Sequence, residues 1–237
     1  MAVISALTHR SVELYRKLFP IPCLLCGLPA HKAPLCQACI GELPWLETAC
    51  PRCAMPLQSA QICGHCLHSP PIQQHSFSLL RYQAAVPRCI TRFKFHQQLQ
   101  FADFFAGHMA KQLQQRQDLP ACLIPIPLHP RRLRSRGFNQ SLEVATRLAQ
   151  QLGIRCRPEL LQRVRNTPSQ SQLHYRQRQR NIRHAFASTA ASLPPHVALL
   201  DDVMTTGQTV AEAARILQGR GVQIIEVWTI ARAISHY

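Results

Sequence analysis

The amino-acid sequence predicts an α/β protein in which a mostly parallel sheet follows a small cysteine-rich domain. Three observations support this prediction. Four CxxC pairs are concentrated between residues 20 and 69, short apolar runs alternate with helical segments beyond residue 70, and two adjacent acids follow one of those runs. The 237 residues, of which 46% are hydrophobic and 16% charged, suffice for one full domain and one small domain.

The four CxxC pairs predict two zinc sites. They account for eight of the 11 cysteines, and nine or ten residues separate each pair from the next. Each pair forms a tight knuckle that directs two thiolates at one metal, and two knuckles complete a tetrahedral site. Sequential pairing is the simplest arrangement, and an interleaved cross-brace is the alternative. The expected ligands are Cys23, Cys26, Cys36, Cys39, Cys50, Cys53, Cys63 and Cys66.

A disulfide framework and a redox CxxC are the alternatives to zinc. The first is disfavoured because the sequence has no evident secretory signal, and the second because redox motifs usually occur once, after a strand. Residues 20–69 contain few large apolar side chains, so metal binding must supply much of their folding free energy. We expect residues 1–69 to form an N-terminal helix and a double zinc ribbon, and residues 70–237 to form the second domain.

Beyond the linker-like "SPPI" at residues 69–72, the elements of the second domain follow in order. "SFSLLRYQ" (76–83) indicates a strand, and "FADFFAGHMAKQLQQ" (101–115) has helical spacing. In "FKF" (93–95) aromatic and basic residues alternate. The phenylalanines of this region are expected in the core, and stacking on nucleic-acid bases is the alternative.

The remaining segments continue the alternation of strand and helix. "ACLIPIPLH" (121–129) indicates a buried strand with a rigid exit loop, and "SLEVATRLAQQLG" (141–153) a helix that ends at Gly153. "HVALL" (196–200), "QTVAEAARILQGRG" (208–221) and "VQIIEVWTIA" (222–231) indicate a strand, a helix and a closing strand. Buried strands that alternate with helices predict a parallel sheet covered on both faces.

The acid pair Asp201 and Asp202 follows the strand "HVALL" directly. Ligands of parallel sheets bind at the carboxyl ends of the strands. The loop after the acids has three threonines and one glycine and leads into a helix N-terminus, which makes it a candidate phosphate cradle. The acids themselves suit sugar hydroxyls or Mg²⁺, and a capped turn with solvated acids is the alternative. The loop residues are Thr205, Thr206, Gly207, Gln208 and Thr209.

The chain is strongly basic, with 27 Lys and Arg against 11 Asp and Glu and a net charge of +16. Residues 131–183 alone contain 13 arginines and two acids, a local charge of +11. Guanidinium groups bind phosphates through paired donors, so an anionic partner is expected, and a solvated face is the alternative. No apolar run approaches a membrane span and no signal peptide is evident, which indicates a cytoplasmic protein.

The apolar strand, the acid pair and "TTGQT" (205–209) resemble the phosphoribosyl pyrophosphate signature of type I phosphoribosyltransferases. "PIPLHPRRLRSRGFNQS" (125–141) and "RVRNTPSQSQLHYRQRQRNIRHAF" (163–186) resemble the other motif blocks of the ComF family. That family includes the competence protein ComFC and the gluconate-linked protein GntX, and its members carry an N-terminal cysteine ribbon. The resemblance therefore covers nearly the whole chain.

The resemblance implies roles for individual residues. Asp201 and Asp202 would bind the ribose hydroxyls of phosphoribosyl pyrophosphate, and residues 205–209 its 5′-phosphate. Leu128 and His129 match the position of the pyrophosphate loop, and Mg²⁺ would accompany the ligand. Residues 163–183 match the superfamily's mobile loop. Thr205 occupies a position where purine-salvage members carry an acid, so this candidate general base is absent.

Two functions from different classes are compatible with these residues. One is a Mg²⁺-dependent phosphoribosyltransferase with an unknown acceptor, as in a GntX-like enzyme without a nucleic-acid role. The other is a protein of DNA uptake and natural transformation that keeps the ligand site and binds single-stranded DNA. For the second, the resemblance implies competence proteins such as a ComFA-like helicase as partners.

Overall fold

The computed structural model describes residues 21–30, 33–167 and 182–234. The N-terminal helix expected ahead of the first cysteine pair, and most of the arginine-rich segment 163–183, lie outside these residues. Within them, the chain forms the predicted α/β fold, with a five-stranded parallel sheet and helices on both faces. The fold prediction is confirmed.

The sheet has the strand order β3-β9-β8-β4-β5, which places β8 and its acids at the centre. Its two longest strands, β8 and β9, pair over eight residue positions, from His196 opposite Ile224 to Met204 opposite Arg232. Two short antiparallel pairs, β1 with β2 and β6 with β7, lie outside it. The strands are β1 (Ile21–Pro22), β2 (Pro29–Ala30), β3 (His75–Arg81), β4 (Cys122–Pro125), β5 (Arg155–Cys156), β6 (Gln162–Arg163), β7 (Phe186–Ala187), β8 (His196–Met204) and β9 (Ile224–Arg232).

In residues 70–237, two helices were not predicted from the sequence pattern. The helix Val86–Phe95 contains the "FKF" alternation at its end, and the helix Pro130–Arg136 directly follows the expected exit loop, which residues 126–129 form. The second has recognisable end signals, because Pro130 stands at its first position and Gly137 ends it with a left-handed φ of 88°. The helices are α1 (Gln37–Gly41), α2 (Gly64–His68), α3 (Val86–Phe95), α4 (Gln100–Leu113), α5 (Pro130–Arg136), α6 (Gln140–Leu152) and α7 (Gln208–Gln218).

Two hydrophobic clusters cover the faces of the sheet. Helices α3, α4 and α6 pack on one face and α7 on the other. The predicted core role of the phenylalanines holds for Phe93, Phe101, Phe104 and Phe105, which are buried, whereas the Phe95 ring is 64% exposed. None of the helices in the described part of the chain has the length and apolar composition needed to cross a bilayer.

The cysteine-rich segment packs directly on the sheet. Leu46 N–H donates to Leu79 O and Arg81 N–H to Pro44 O, so residues 44–46 cover the free edge of β3. Ser76 N–H donates in the same way to Pro51 O, in the third CxxC knuckle. The second cysteine group also lies next to the loop after β8, because Cys53, Cys63 and Cys66 line one small cavity together with residues of that loop.

Candidate ligand-binding cleft and cysteine clusters

A cavity of about 470 Å³ lies at the carboxyl edge of β4 and β8. This volume is within the range of small-molecule sites. Both predicted acids line it, together with four basic side chains from three separate segments. The lining residues on which its chemistry depends are Asp201, Asp202, Thr205, Thr209, Leu128, Ser141, Lys94, Arg132, Arg136 and Arg163.

Asp201 and Asp202 differ in their surroundings. The Asp201 Oδ1 atom accepts hydrogen bonds from the backbone N–H of Asp202, at 2.9 Å, and from Ser141 Oγ, at 3.4 Å. The Asp202 carboxylate forms an ion pair with Lys94, with 2.7 Å between Nζ and Oδ2. Burial, and then the neighbouring charge of Asp202, raise the pKa of the Asp201 carboxyl to about 7.

The cations of the cavity are held in place by local contacts. Arg136 donates to Gln140 Oε1 at 2.8 Å, and its guanidinium carbon lies 5.1 Å from the centre of the Phe95 ring. Arg163 is 9% exposed, and burial, followed by the charge of Arg132, lowers its pKa to about 10. The Arg163 Nε atom is buried without a hydrogen-bond partner among the described residues. A guanidinium in this condition is available to an anionic ligand.

The loop after β8 divides between two cavities. Thr205 and Thr209 line the cavity with the acids, whereas Thr206, Gly207 and Gln208 line a smaller one, of about 110 Å³, beside the second cysteine group. Gly207 has a φ of 76°, a conformation that strains any residue with a Cβ. In the described chain, the N–H groups of residues 205–207 donate to no backbone carbonyl.

The predicted pyrophosphate loop contributes only one of its two residues to the cavity. Leu128 lines it, and His129 instead caps helix α5, with its Nδ1 atom accepting from Arg131 N–H at 3.2 Å. Asn139 fixes the other end of this segment, because its side chain donates to Ile126 O and accepts from Ser141 N–H. The motif block 125–141 thus forms one wall of the cavity, with Arg132, Arg136 and Ser141 facing inward.

The eight cysteines of the CxxC pairs form two groups of four, in sequential order. Within each group, the sulfur atoms all lie within 4.8 Å of one another. The sulfur–sulfur distances are 3.6 Å for Cys26–Cys36 and for Cys53–Cys63. Tetrahedral zinc with bonds of 2.3 Å requires a separation of about 3.8 Å, so the groups fit this metal.

Backbone groups prepare two of these thiols for metal binding. Burial opposes ionisation of Cys23 and Cys50. Backbone N–H groups outweigh it, and the pKa falls to about 6 for Cys23 and to about 7 for Cys50. The N–H of Cys63, for example, lies 3.4 Å from the Cys50 sulfur. Thiolates are the form that binds zinc.

Three residues of the site carried no signal in the sequence pattern. Lys94 reaches the cavity from α3, the helix that the pattern missed. Ser141 contacts Asp201 from the start of α6, and Arg232 lies in an apolar strand yet donates to carbonyls of the loop after β8. These groups meet through contacts between residues 27 to 108 positions apart in the chain, and hydrophobic periodicity does not predict such contacts.

The sequence matches two family models, a double zinc ribbon domain over residues 14–67 and a phosphoribosyl transferase domain over residues 139–237. The DNA utilization protein YhgH of Salmonella typhimurium is 31% identical over 221 residues, which cover 90% of this chain and 97% of that protein. The competence protein F of Haemophilus influenzae is 36% identical over 153 residues, covering 61% of this chain and 66% of that protein. Adenine phosphoribosyltransferase from Leishmania tarentolae aligns with a TM-score of 0.34 and 12% identity, over 56% of this chain and 70% of that one.

Proposed function

Because the chain belongs to the ComF family, we propose that it binds phosphoribosyl pyrophosphate with Mg²⁺ and acts in the uptake or use of DNA. One observation carries the ligand assignment. Two acids, two threonines of the loop after β8 and four basic side chains line a single cavity at the carboxyl edge of the sheet. Phosphoribosyl pyrophosphate presents both kinds of group that this cavity accommodates, hydroxyls for the acids and phosphates for the cations.

The cavity supports a specific division of roles. Asp201 and Asp202 accept hydrogen bonds from the ribose hydroxyls, and Thr205 and Thr209 bind the 5′-phosphate at the N-terminus of α7. The guanidinium groups facing the other wall bind the pyrophosphate. The carboxylates of Asp201 and Asp202 are also the oxygen donors of this cavity suited to Mg²⁺, which would neutralise pyrophosphate charge. The other predicted ligand residues do not line this cavity, and in the proposed function they support ligand binding from outside it. They are Thr206, Gly207, Gln208 and His129.

Transfer would require an acceptor atom to attack C1 of the ribose while the bond from C1 to the pyrophosphate oxygen breaks. Both pyrophosphate and the developing positive charge on the ribose would be stabilised by groups already in position. Thr205 offers no general base, so an acceptor that needs deprotonation must lose its proton elsewhere.

The test of ligand binding is calorimetry with phosphoribosyl pyrophosphate and Mg²⁺ on the double variant Asp201→Asn and Asp202→Asn. The amides keep the size of the acids but remove their charge, so binding should weaken at least tenfold while the fold persists. A double variant Asp103→Asn and Asp118→Asn is the matched control. It removes two charges at side chains that are 72% and 76% exposed and do not line the cavity. Equal affinity for the two double variants would contradict the assignment.

Binding of single-stranded DNA is the second part of the proposal. A further cavity of about 390 Å³ adjoins the ligand cavity, and Lys94, Phe95, Arg132 and Arg136 line both. An exposed aromatic ring for a base beside cations for phosphates is the combination that single-strand binders use. The alternative is a GntX-like transferase with a small-molecule acceptor and no nucleic-acid role, which predicts no DNA binding at moderate salt.

Three further points remain proposals. The domain boundary at residues 69 and 70 divides the cysteine ribbon from the phosphoribosyltransferase-like domain. Competence proteins such as a ComFA-like helicase are proposed partners in DNA uptake. A cytoplasmic location is proposed because zinc-binding thiols persist in a reducing compartment.

A further inference from the structure

We propose that metal binding by the second cysteine group fixes the geometry of the loop after β8, and that Arg232 is the positioning residue that couples them. The coupled segment comprises residues 204–209, which are the last residue of β8, the loop after it and the first two residues of α7. The second cysteine group is Cys50, Cys53, Cys63 and Cys66. The consequence for phosphoribosyl pyrophosphate rests on the proposed function. The coupling between the metal site and the loop does not depend on the proposed function.

The third CxxC knuckle is attached to the sheet by consecutive carbonyls. Pro51 O accepts from Ser76 N–H at 2.7 Å. Arg52 O accepts from Ser76 Oγ at 2.7 Å and from the Gln73 amide at 3.2 Å. Cys53 O accepts from Arg232 Nε at 2.9 Å. Because three adjacent carbonyls are bound in this way, the knuckle has one fixed position on the sheet.

Arg232 joins this knuckle to the loop. It is the last residue of β9, opposite Met204, and is 3% exposed. While its Nε atom donates to Cys53 O, its NH1 group donates to Met204 O at 3.1 Å and also to the carbonyls of Thr205 and Ala233. One buried guanidinium therefore holds the metal-binding knuckle and the first two residues of the loop together.

Between its two ends, the loop has few side-chain contacts other than this link. A cavity of about 110 Å³ separates Thr206, Gly207 and Gln208 from Cys53, Cys63 and Cys66. The Thr206 hydroxyl and both polar atoms of the Gln208 side chain are buried without a hydrogen-bond partner among the described residues. Neither side chain anchors the segment. The backbone contacts at its two ends are Ala233 N–H to Met204 O and Ala211 N–H to Gly207 O, and between them the Thr205 carbonyl is bound by Arg232.

Loss of metal would release this arrangement. The second ribbon has few apolar side chains, and without zinc its knuckles lose the bonds that hold them. Displacement of Cys53 O leaves a buried guanidinium short of an acceptor, and Arg232 must then re-orient. Its movement carries the carbonyls of Met204 and Thr205 with it. Reciprocity requires that a ligand bound to the loop strengthens metal binding at the second group by the same factor.

The first cysteine group provides a control within the same chain. Cys23 and Cys36 pack in the cluster on the other face of the sheet, with α3 and β3. No hydrogen bond between described residues joins Cys23, Cys26, Cys36 or Cys39 to the loop. Metal loss at this group should therefore leave the loop unchanged.

The experiment compares Cys63→Ser with Cys26→Ser, each confirmed by native mass spectrometry to have lost one zinc ion. Hydrogen exchange at residues 204–209, measured without ligand, should increase at least tenfold in the first variant and stay at the wild-type rate in the second. Affinity for phosphoribosyl pyrophosphate should fall at least tenfold in the first variant only. Equal exchange in both variants overturns the coupling.

Arg232→Lys keeps the experiment decisive if Cys63→Ser does not fold. An ammonium cannot donate to Cys53 O and to the loop carbonyls from separate nitrogens, so exchange of the loop should rise while both zinc ions remain. Arg220→Lys is the matched control, since Arg220 also binds a carbonyl, Ser188 O, but is exposed and remote from the loop. Unchanged loop exchange in Arg232→Lys overturns the proposal. If the wild type binds no phosphoribosyl pyrophosphate, the proposed function fails, and the exchange measurement still decides the coupling.

Discussion

Replacing Asp201 with Asn should stabilise the protein above neutral pH while it weakens the proposed ligand binding. The pKa of the Asp201 carboxyl is raised from its ordinary value of 3.8 to about 7. At 1.36 kcal/mol for each pH unit, keeping this carboxylate ionised in the fold costs at most about 4 kcal/mol. The side chain keeps some contact with solvent, which screens part of the effect, so we expect a gain of about 1 to 2 kcal/mol. The amide retains the acceptor oxygen for Asp202 N–H and Ser141 Oγ.

The gain should depend on pH with a defined sign. Because the pKa is higher in the fold than in the unfolded chain, the wild type loses stability as the pH rises from about 4 to about 7, and the Asn variant lacks this loss. The advantage of the variant should therefore be largest at pH 8 and shrink towards pH 5, as measured by urea unfolding. A variant that is less stable at pH 8, or an advantage independent of pH, would refute the reasoning. In an Asp202→Asn background the transition should move to lower pH, since the Asp202 charge contributes to the shift.

Three further predictions concern the metal, the core and the basic surface. Native mass spectrometry should find two zinc ions per chain, and a metal-free, disulfide-bonded chain would contradict the two-site assignment. Glu226→Ala should lower the free energy of unfolding by about 3 to 5 kcal/mol in urea titrations. The reason is that the Glu226 carboxylate is 1% exposed and binds Arg116, Trp228 and His196. A loss below about 1 kcal/mol would contradict this prediction. Changing four arginines to Gln should reduce the salt dependence of single-stranded DNA binding. They are Arg176, Arg178, Arg180 and Arg183, of which the first three lie outside the described residues. If these changes have no effect and only deletion of residues 1–69 abolishes DNA binding, the zinc ribbon is the DNA-binding element.

The parts of the fold that could be predicted are those with local signals. The strand "HVALL" is a continuous apolar run, and the helix after Gly207 has apolar residues at helical spacing. The CxxC spacing likewise predicted which cysteines would meet. In each case the pattern repeats over a few residues, so the physical constraint and the sequence signal have the same length scale.

The parts that could not be predicted depend on contacts between distant segments. Lys94 stands in "FKF", whose alternation resembles a strand, and its position against Asp202 follows from the packing of α3 on the sheet. Arg232 is the last residue of an apolar strand. Nothing in the sequence around it indicates that its side chain is buried or that it binds carbonyls of three different segments. Helix α5 is a different case, because Pro130 and Gly137 are end signals that could have identified it.

The arrangement around the acids explains why so basic a chain places two carboxylates side by side. Asp202 already has a cation, Lys94, at 2.7 Å, whereas Asp201 has none so close and shows a raised pKa. A ribose hydroxyl that donates to Asp202 must displace or share the Lys94 ammonium. If the hydroxyl displaces the Lys94 ammonium, the ammonium can bind the phosphates of the same ligand, which carry more negative charge than the Asp202 carboxylate. Under the proposed function, a ligand with both hydroxyls and phosphates would replace both sides of the contact between Lys94 and Asp202. A ligand with phosphates alone would leave Asp201 and Asp202 facing new negative charge, so inorganic pyrophosphate should bind more weakly than phosphoribosyl pyrophosphate.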